Sequence, residues 1–369
     1  MNKSHGLLPL LALGAVAAFA PNDAQATVFT INCGAGGPTT ALQAQITSIG
    51  SSPGHQINVT GTCVGDIDTS RADRLTIAGL TLTGSVTMQV AQSMRFMNLT
   101  LEGPLLLINT RNSTFSNLKL RGDVTLTRGS QASFINFTAD VWKDGTGAHD
   151  PAFNCIGQSE CTLVNANLTG GSATPTSVGV LAASASRLNF QSGTITGFGT
   201  GVQAWNNATA FVTASCDPIT IKGNLTQGVT ALDSGVVKVF GLSKEDAVDF
   251  GCPGAVTVDI AANGNYGVFA DGGGNAYLQY VAIGGHTLDG VRVQHGSTVR
   301  VRSSKIDAAS ASGRSARVKA QAHLYFDEQE AGPGAGSSLA GPVCTTGGST
   351  ADTDNSSTVI TVVTSCPGP

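Results

Sequence analysis

Apolar and polar positions repeat at a fixed interval between Leu75 and Asp140. Ile77, Phe96, Phe115 and Phe134 stand 19 residues apart, as do Leu80, Leu99, Leu118 and Phe137, and as do Asn98, Asn117 and Asn136. Within one interval the apolar residues come as alternating pairs, Met94/Phe96, Leu99/Leu101 and Leu105/Leu107. Alternation marks a strand with one buried face. Three pairs per interval, all buried on the same side, predict three short strands wound once around a shared core. A unit this small must bury its apolar face against its neighbours, as a solenoid does.

The corners of the predicted coil carry their own signal. Only two residues separate Phe96 from Leu99, so the chain turns sharply, and Asn98, Asn117 and Asn136 take the second place, with Gly79 there one coil earlier. Gly and Asn adopt a left-handed backbone at least cost. Coils stacked roughly 4.8 Å apart bring such amides close enough to hydrogen-bond as a ladder. Gly84, Gly103 and Gly122 mark the next corner. These Asn and Gly residues read as structural, and the Phe column as core.

Three-stranded coils, an Asn column at a tight corner and stacked aromatics resemble the right-handed parallel β-helix of the pectate-lyase-like superfamily. The resemblance covers roughly Ile57 to Phe326 and concerns architecture, since one fold hosts many functions. It implies an all-β, single-stranded right-handed parallel β-helix.

Before the coils, Thr39 to Ile49 is an amphipathic stretch with Leu42, Ile46 and Ile49 on one face. It predicts a helix covering the open end of the first coil, with Thr39 or Thr40 as its cap. After Asp140 the register breaks: Leu163, Asn165 and Leu168 resume the pattern, but Asn165 lies 29 residues beyond Asn136. The added residues predict a loop, held by Cys155 and Cys161, that carries Trp142, Lys143, Asp144, His149 and Asp150. From Val180 the coils lengthen and a second ruler appears in Gly179-Val180, Gly201-Val202, Gly228-Val229, Gly267-Val268 and Gly290-Val291. A further insertion follows Phe240, and Val318, Leu324 and Phe326 predict a last coil.

The ends differ in character. Residues 1–26 combine Lys3, an apolar run from Leu7 to Ala20 and an Ala24-Gln25-Ala26 site, the layout of a secretory signal. No later stretch is long enough to span a bilayer, so the mature chain is expected outside the cytoplasm, secreted or periplasmic. The expected organisation is a signal at 1–26, a cap with a helix at 27–56, a β-helix at 57–327 and a Gly/Ser/Thr/Pro-rich clamped tail at 328–369. All eight cysteines follow the signal: Cys33, Cys63, Cys155, Cys161, Cys216, Cys252, Cys344 and Cys366. Even numbers in exported chains form disulfides. Solenoid contacts are local in sequence, which favours the pairs 33–63, 155–161, 216–252 and 344–366.

A net charge of −4 says little about a partner, so local clusters must. Tyr277, Arg300 and Tyr325 are predicted to share one outward column, and Phe269, Arg292 and Arg317 a second. From Arg292 to Lys319 seven basic residues, with Arg302, Lys305 and Arg314 among them, face one acid, Asp307. Arg forks bind carboxylate or sulfate bidentately, so an acidic polysaccharide is the expected partner. Trp142 and Lys143 are further substrate-binding candidates. The plainer reading is that these charges blunt the exposed edge of the last coils.

The β-helix enzyme families supply tests. Pectate lyases place outward carboxylates for calcium on stacked coils, and no such column is present. Polygalacturonases carry Asn-Thr-Asp, Asp-Asp and Gly-His-Gly, of which Gly284-Gly285-His286 touches only the last. Mannuronan epimerases carry Asp-Pro-His, and His149-Asp150-Pro151 has those residues in another order. A lyase here would use Arg300, Arg302 and Arg292 to neutralise a uronate, with His295, Lys305 or a Tyr as base. A hydrolase would need two carboxyls, for which Asp144 and Asp150 are the candidates. No cofactor, metal site, nucleotide-binding loop or nucleic-acid partner is predicted. The alternative is a non-catalytic envelope or surface protein serving adhesion or scaffolding.

Overall fold

The computed structural model describes residues 27–144, 147–150, 152–171, 174–309, 314–327, 337–353 and 361–364. The chain is mostly β, arranged as long parallel sheets of 23 and 13 strands among the described residues. Each winding adds two strands to the longer sheet and one to the shorter, and every strand pairs with its counterpart in the next winding.

One core column shows how the period becomes a fold. Phe29, Ile57, Ile77, Phe96, Phe115, Phe134, Leu163, Phe190, Val212, Val239, Leu278, Val301 and Phe326 are partners in unbroken register. Burial of such a side chain stabilises by about 1.5–3 kcal/mol. In the first coils the aromatic members stack face to face, Phe96 on Phe115 at 5.0 Å and Phe115 on Phe134 at 4.7 Å. At the adjoining corner Asn98, Asn117, Asn136 and Asn165 all have φ between 52° and 57°. Their amides form the expected ladder, each Nδ2 donating to the Oδ1 one coil earlier at 2.9 to 3.0 Å. At the next corner Gly103 has φ 144°, and a Cβ there would run into the Gly84 carbonyl.

A second ladder, deep in the longer coils, was not visible in the period. Phe198, Asn224, Asn263, His286 and Ala309 each follow an inward Ile by three residues, and all are buried. Phe198 N–H donates to Asn224 Oδ1 at 3.1 Å, Asn224 Nδ2 to Asn263 Oδ1 at 2.8 Å, and Asn263 N–H to His286 Nδ1 at 3.2 Å. His286 Nε2 lies 3.1 Å from the Ile260 carbonyl. Burial depresses the basicity of His286, outweighing the backbone carbonyls and Asp259, which favour the charged form.

The ends extend further than the alternation suggested. A strand at Val28–Pro38 precedes helix α1 (Thr40–Ile49) and pairs with Gln56–Val64, with irregular register at Asn32/Gly34 and Ala35/Gly37. Those glycines break the alternation that begins at Phe29 and Ile31. Helix α1 buries Leu42, Ile46 and Ile49 as expected. Thr39 holds the N-cap position but makes no cap bond; its hydroxyl donates to the Asp66 carbonyl at 3.2 Å. At the other end Val343–Thr346 and Thr350–Thr353 continue both sheets into the stretch read as a tail. Its Thr- and Gly-rich composition conceals the pattern, because Thr345 stands where earlier coils have Val318.

Three disulfides join the described cysteines as expected: Cys33–Cys63, Cys155–Cys161 and Cys216–Cys252. Cys344 is also disulfide-bonded. The 344–366 pairing and the signal at 1–26 lie outside the described residues. Cys155 and Cys161 belong to neighbouring strands, Phe153–Cys155 and Glu160–Thr169, and both face the core. The bridge therefore ties two sheets together, and the insertion lies ahead of it, between Ala139 and Phe153. The second insertion forms helix α2 (Lys244–Asp249), capped by Ser243, whose Oγ accepts from Asp246 N–H at 2.9 Å. No helix among the described residues is long and apolar enough to cross a membrane.

Candidate functional site

Outward positions on the longer sheet form a column that changes character along the molecule. Thr114, Ser133, Thr162 and Asn189 are followed in register by Phe211, Lys238, Tyr277, Arg300, Tyr325 and Asp352. Each of the central five is flanked by buried residues, such as Val237 and Val239 around Lys238. Alternation therefore drives them outward. Cation and ring alternate: Lys238 Nζ lies 5.3 Å from the Phe211 centroid and 5.6 Å from that of Tyr277. Arg300 lies 5.9 Å from Tyr277 and 5.8 Å from Tyr325. Arg187 sits over the other side of Phe211 at 4.7 Å. Such contacts contribute about 0.5–1 kcal/mol each when exposed, and the interposed rings keep like charges two strands apart.

The Tyr277–Arg300–Tyr325 grouping was legible in the sequence, but Phe211 and Lys238 were missed. Both sit between alternating apolar residues, Ala210/Val212 and Val237/Val239. Unequal coil lengths hid their alignment. At the margin, the His323 ring stacks on Tyr325 at 6.0 Å, and Arg302 follows Phe240 and Gln279 in the next outward column. The face continues into a concavity of about 510 Å³ lined by Thr114, Ser133, Thr162 and Glu160.

The seven basic residues from Arg292 to Lys319 do not form one surface. Arg300 and Arg302 lie on the longer sheet, Arg292, Arg317 and Lys319 on the shorter. Lys305 lies beyond the corner at Ser303 and pairs with Asp307 at 3.0 Å. Arg314 is not a surface charge: it is 3% exposed and pairs with the 1%-exposed Asp289 at 2.9 Å. Arg317 is likewise buried, at 6% exposure, because later coils add chain beside it. His286 and Asp289 are both buried, His286 in the Asn ladder and Asp289 against Arg314.

On the shorter sheet Thr230, Phe269, Arg292, Arg317 and Cys344 are in register. Arg292 lies 5.0 Å above the Tyr266 ring and donates to its hydroxyl. Arg292 Nε also donates to Gln294 Oε1 at 3.1 Å, and Gln294 Nε2 to Asp271 Oδ2 at 2.9 Å. At the ridge between the sheets the other Asp271 oxygen meets His295 Nδ1 at 2.6 Å. The His295 side chain is 62% exposed.

In the first insertion Trp142–Asp144 and Gly147–His149 form an antiparallel hairpin. The side chains of Trp142, Lys143 and Asp144 lie outside the described residues. Asp150 Oδ1 accepts from Gly171 N–H at 2.7 Å, which gives that carboxylate a tethering role. Among the described residues no three His, Cys, Asp or Glu side chains gather as a metal ion requires.

No family model matches the sequence, and no curated protein matches it. Among solved structures, the periplasmic alginate epimerase AlgG aligns with 90% of this chain and 82% of its own, at 12% identity and a TM-score of 0.45. The catalytic domain of a GH87 alpha-1,3-glucanase, in complex with nigerose, aligns with 91% of this chain and 62% of its own, at 13% identity and a TM-score of 0.28.

Proposed function

We propose that the chain is an exported right-handed parallel β-helix that binds an acidic polysaccharide along the column Phe211, Lys238, Tyr277, Arg300 and Tyr325. The observation that carries this reading is the alternation of rings and cations at successive strands. Their spacing of about 4.8 Å presents a flat apolar face and a positive charge by turns. A sugar ring offers a C–H face for the aromatic rings, and a carboxylate or sulfate offers a partner for the Arg300 fork. The disulfides favour an oxidising compartment, where cell-surface and secreted glycans occur.

A lyase extension of this reading follows from the Asp271–His295 contact. An imidazole anchored at Nδ1 presents Nε2 as a base, with Arg300 and Arg302 supplying charge neutralisation. The test is incubation with pectate, alginate and glycosaminoglycans, measuring binding by calorimetry and turnover by the absorbance of unsaturated products. Binding that weakens with salt and in Arg300→Ala supports the glycan reading. New absorbance lost in His295→Ala supports the extension. Absence of binding to every acidic polymer overturns both and favours an adhesive or scaffolding solenoid.

A further inference from the structure

The outer face of the shorter sheet holds a guanidinium that no described residue answers. Arg317 stands in register between Arg292 and Cys344 and is 6% exposed. Its Nε and Nη1 are buried and make no hydrogen bond. Among the described residues, Arg314, Arg292 and Lys319 surround it against one carboxylate, Asp289, whose Oδ1 accepts from Arg314 at 2.9 Å and whose buried Oδ2 makes no hydrogen bond. Burial first, then Arg314 and Arg292, depress the basicity of Arg317, and burial and Arg317 depress that of Lys319. Leaving a buried charge without partners is costly. Nothing in the packing of the coil requires a cation there, because outward positions in the same column are Thr230 and Phe269 in earlier coils.

We propose that Arg317, flanked by Arg292, holds a small oxyanion: sulfate, phosphate or the carboxylate of a sugar acid. The planar fork of a guanidinium matches two oxygens of such a group. A bound anion also offsets the surplus of positive charge shared by Arg292, Arg314, Arg317 and Lys319. This site lies on a different sheet from the Tyr277–Arg300–Tyr325 column and does not rest on the glycan reading. The site favours oxyanions over chloride, because two oxygens of one anion meet the two parallel N–H donors of a guanidinium in straight hydrogen bonds, whereas a single chloride meets both only with bent ones.

The test is calorimetry and thermal unfolding of the full chain with sodium sulfate, sodium phosphate and sodium glucuronate, against sodium chloride at matched ionic strength. A saturable oxyanion-specific rise in unfolding midpoint is expected. It disappears in Arg317→Met, which removes the charge while keeping an apolar stem, and persists in Arg121→Ala, a cation of the first coils. Affinity falls about tenfold or more in Arg292→Gln, which serves as the test if Arg317→Met fails to fold. Tighter binding of the inorganic ions assigns the site to a free ion, and tighter binding of glucuronate to a glycan-borne group. A rise no larger than with chloride overturns the proposal. So does an equal rise in the wild type and in either cluster variant, since sulfate also stabilises proteins by exclusion from their surfaces.

Discussion

The coils from Leu75 to Asp140 and those from Val178 to Phe326 share one core column, yet their other positions serve different ends. In the first set, successive corner amides are 19 residues apart. So short a coil leaves almost nothing beyond strands and corners. Phe rings fill the core, an exposed Asn ladder holds one corner, and the outward column is Thr76, Arg95, Thr114 and Ser133. In the second set, buried ladder partners lie 26, 39 and 23 residues apart. Between Phe190 and Phe326 the core column turns to Val and Leu, the ladder moves inside, and the outward column becomes Phe211, Lys238, Tyr277, Arg300 and Tyr325. The contrast teaches that charge is displayed in both sets, as an isolated Arg95 and an Arg121–Glu102 pair in the short coils. Only the longer coils, anchored by buried amides, stack aromatic rings between cations in one column.

The largest test of this contrast is in the core. Phe115→Ala removes a ring stacked on both sides and is expected to cost about 3–5 kcal/mol, measured by chemical denaturation. Leu278→Ala in the second set is expected within about 2–5 kcal/mol. A smaller loss at Phe115 than at Leu278 would contradict a first region specialised for stability. Next, Asn117→Ala breaks two ladder bonds and places a Cβ without a compensating amide at φ 57°. It should cost about 1–2 kcal/mol, read from the same denaturation curves.

The interior ladder of the second set carries a pH signature. Burial lowers the pKa of His286 in the folded state, so the unfolded chain binds its proton more readily. The resulting stability is present above about pH 6.5, the unfolded value, and declines as pH falls towards the lowered folded value. Unfolding midpoints followed from pH 8 down to 5 should show this decline. His286→Asn, which extends the amide ladder without a titrating group, should flatten it. A decline unchanged in that variant would assign the acid sensitivity elsewhere. The smallest stability effect is expected for Arg300→Ala, within about 0.5 kcal/mol of wild type. The same change should weaken polyuronate binding about tenfold, so that stability and binding separate between the two regions.

Much of this architecture was legible residue by residue. The alternation around Phe96 and Leu101 and the amides at Asn98, Asn117 and Asn136 report strand and corner conformations, which are local properties. The Cys33–Cys63, Cys155–Cys161 and Cys216–Cys252 pairs followed from the locality of contacts in a stacked coil. The strand at Val28–Pro38 was less legible, because Gly34, Gly36 and Gly37 interrupt its alternation.

What the sequence alone determined is therefore the coil: its period, its three strands, its corners and the inward face of each strand, all set within a few residues of one another. Only the tertiary structure decided which outward residues meet and which charges are buried. Phe211 and Lys238 join Tyr277 because the register passes through coils of unequal length. Arg317 and His286 are buried by chain distant in sequence, so their desolvation and the chemistry that follows from it depend on how the coils stack.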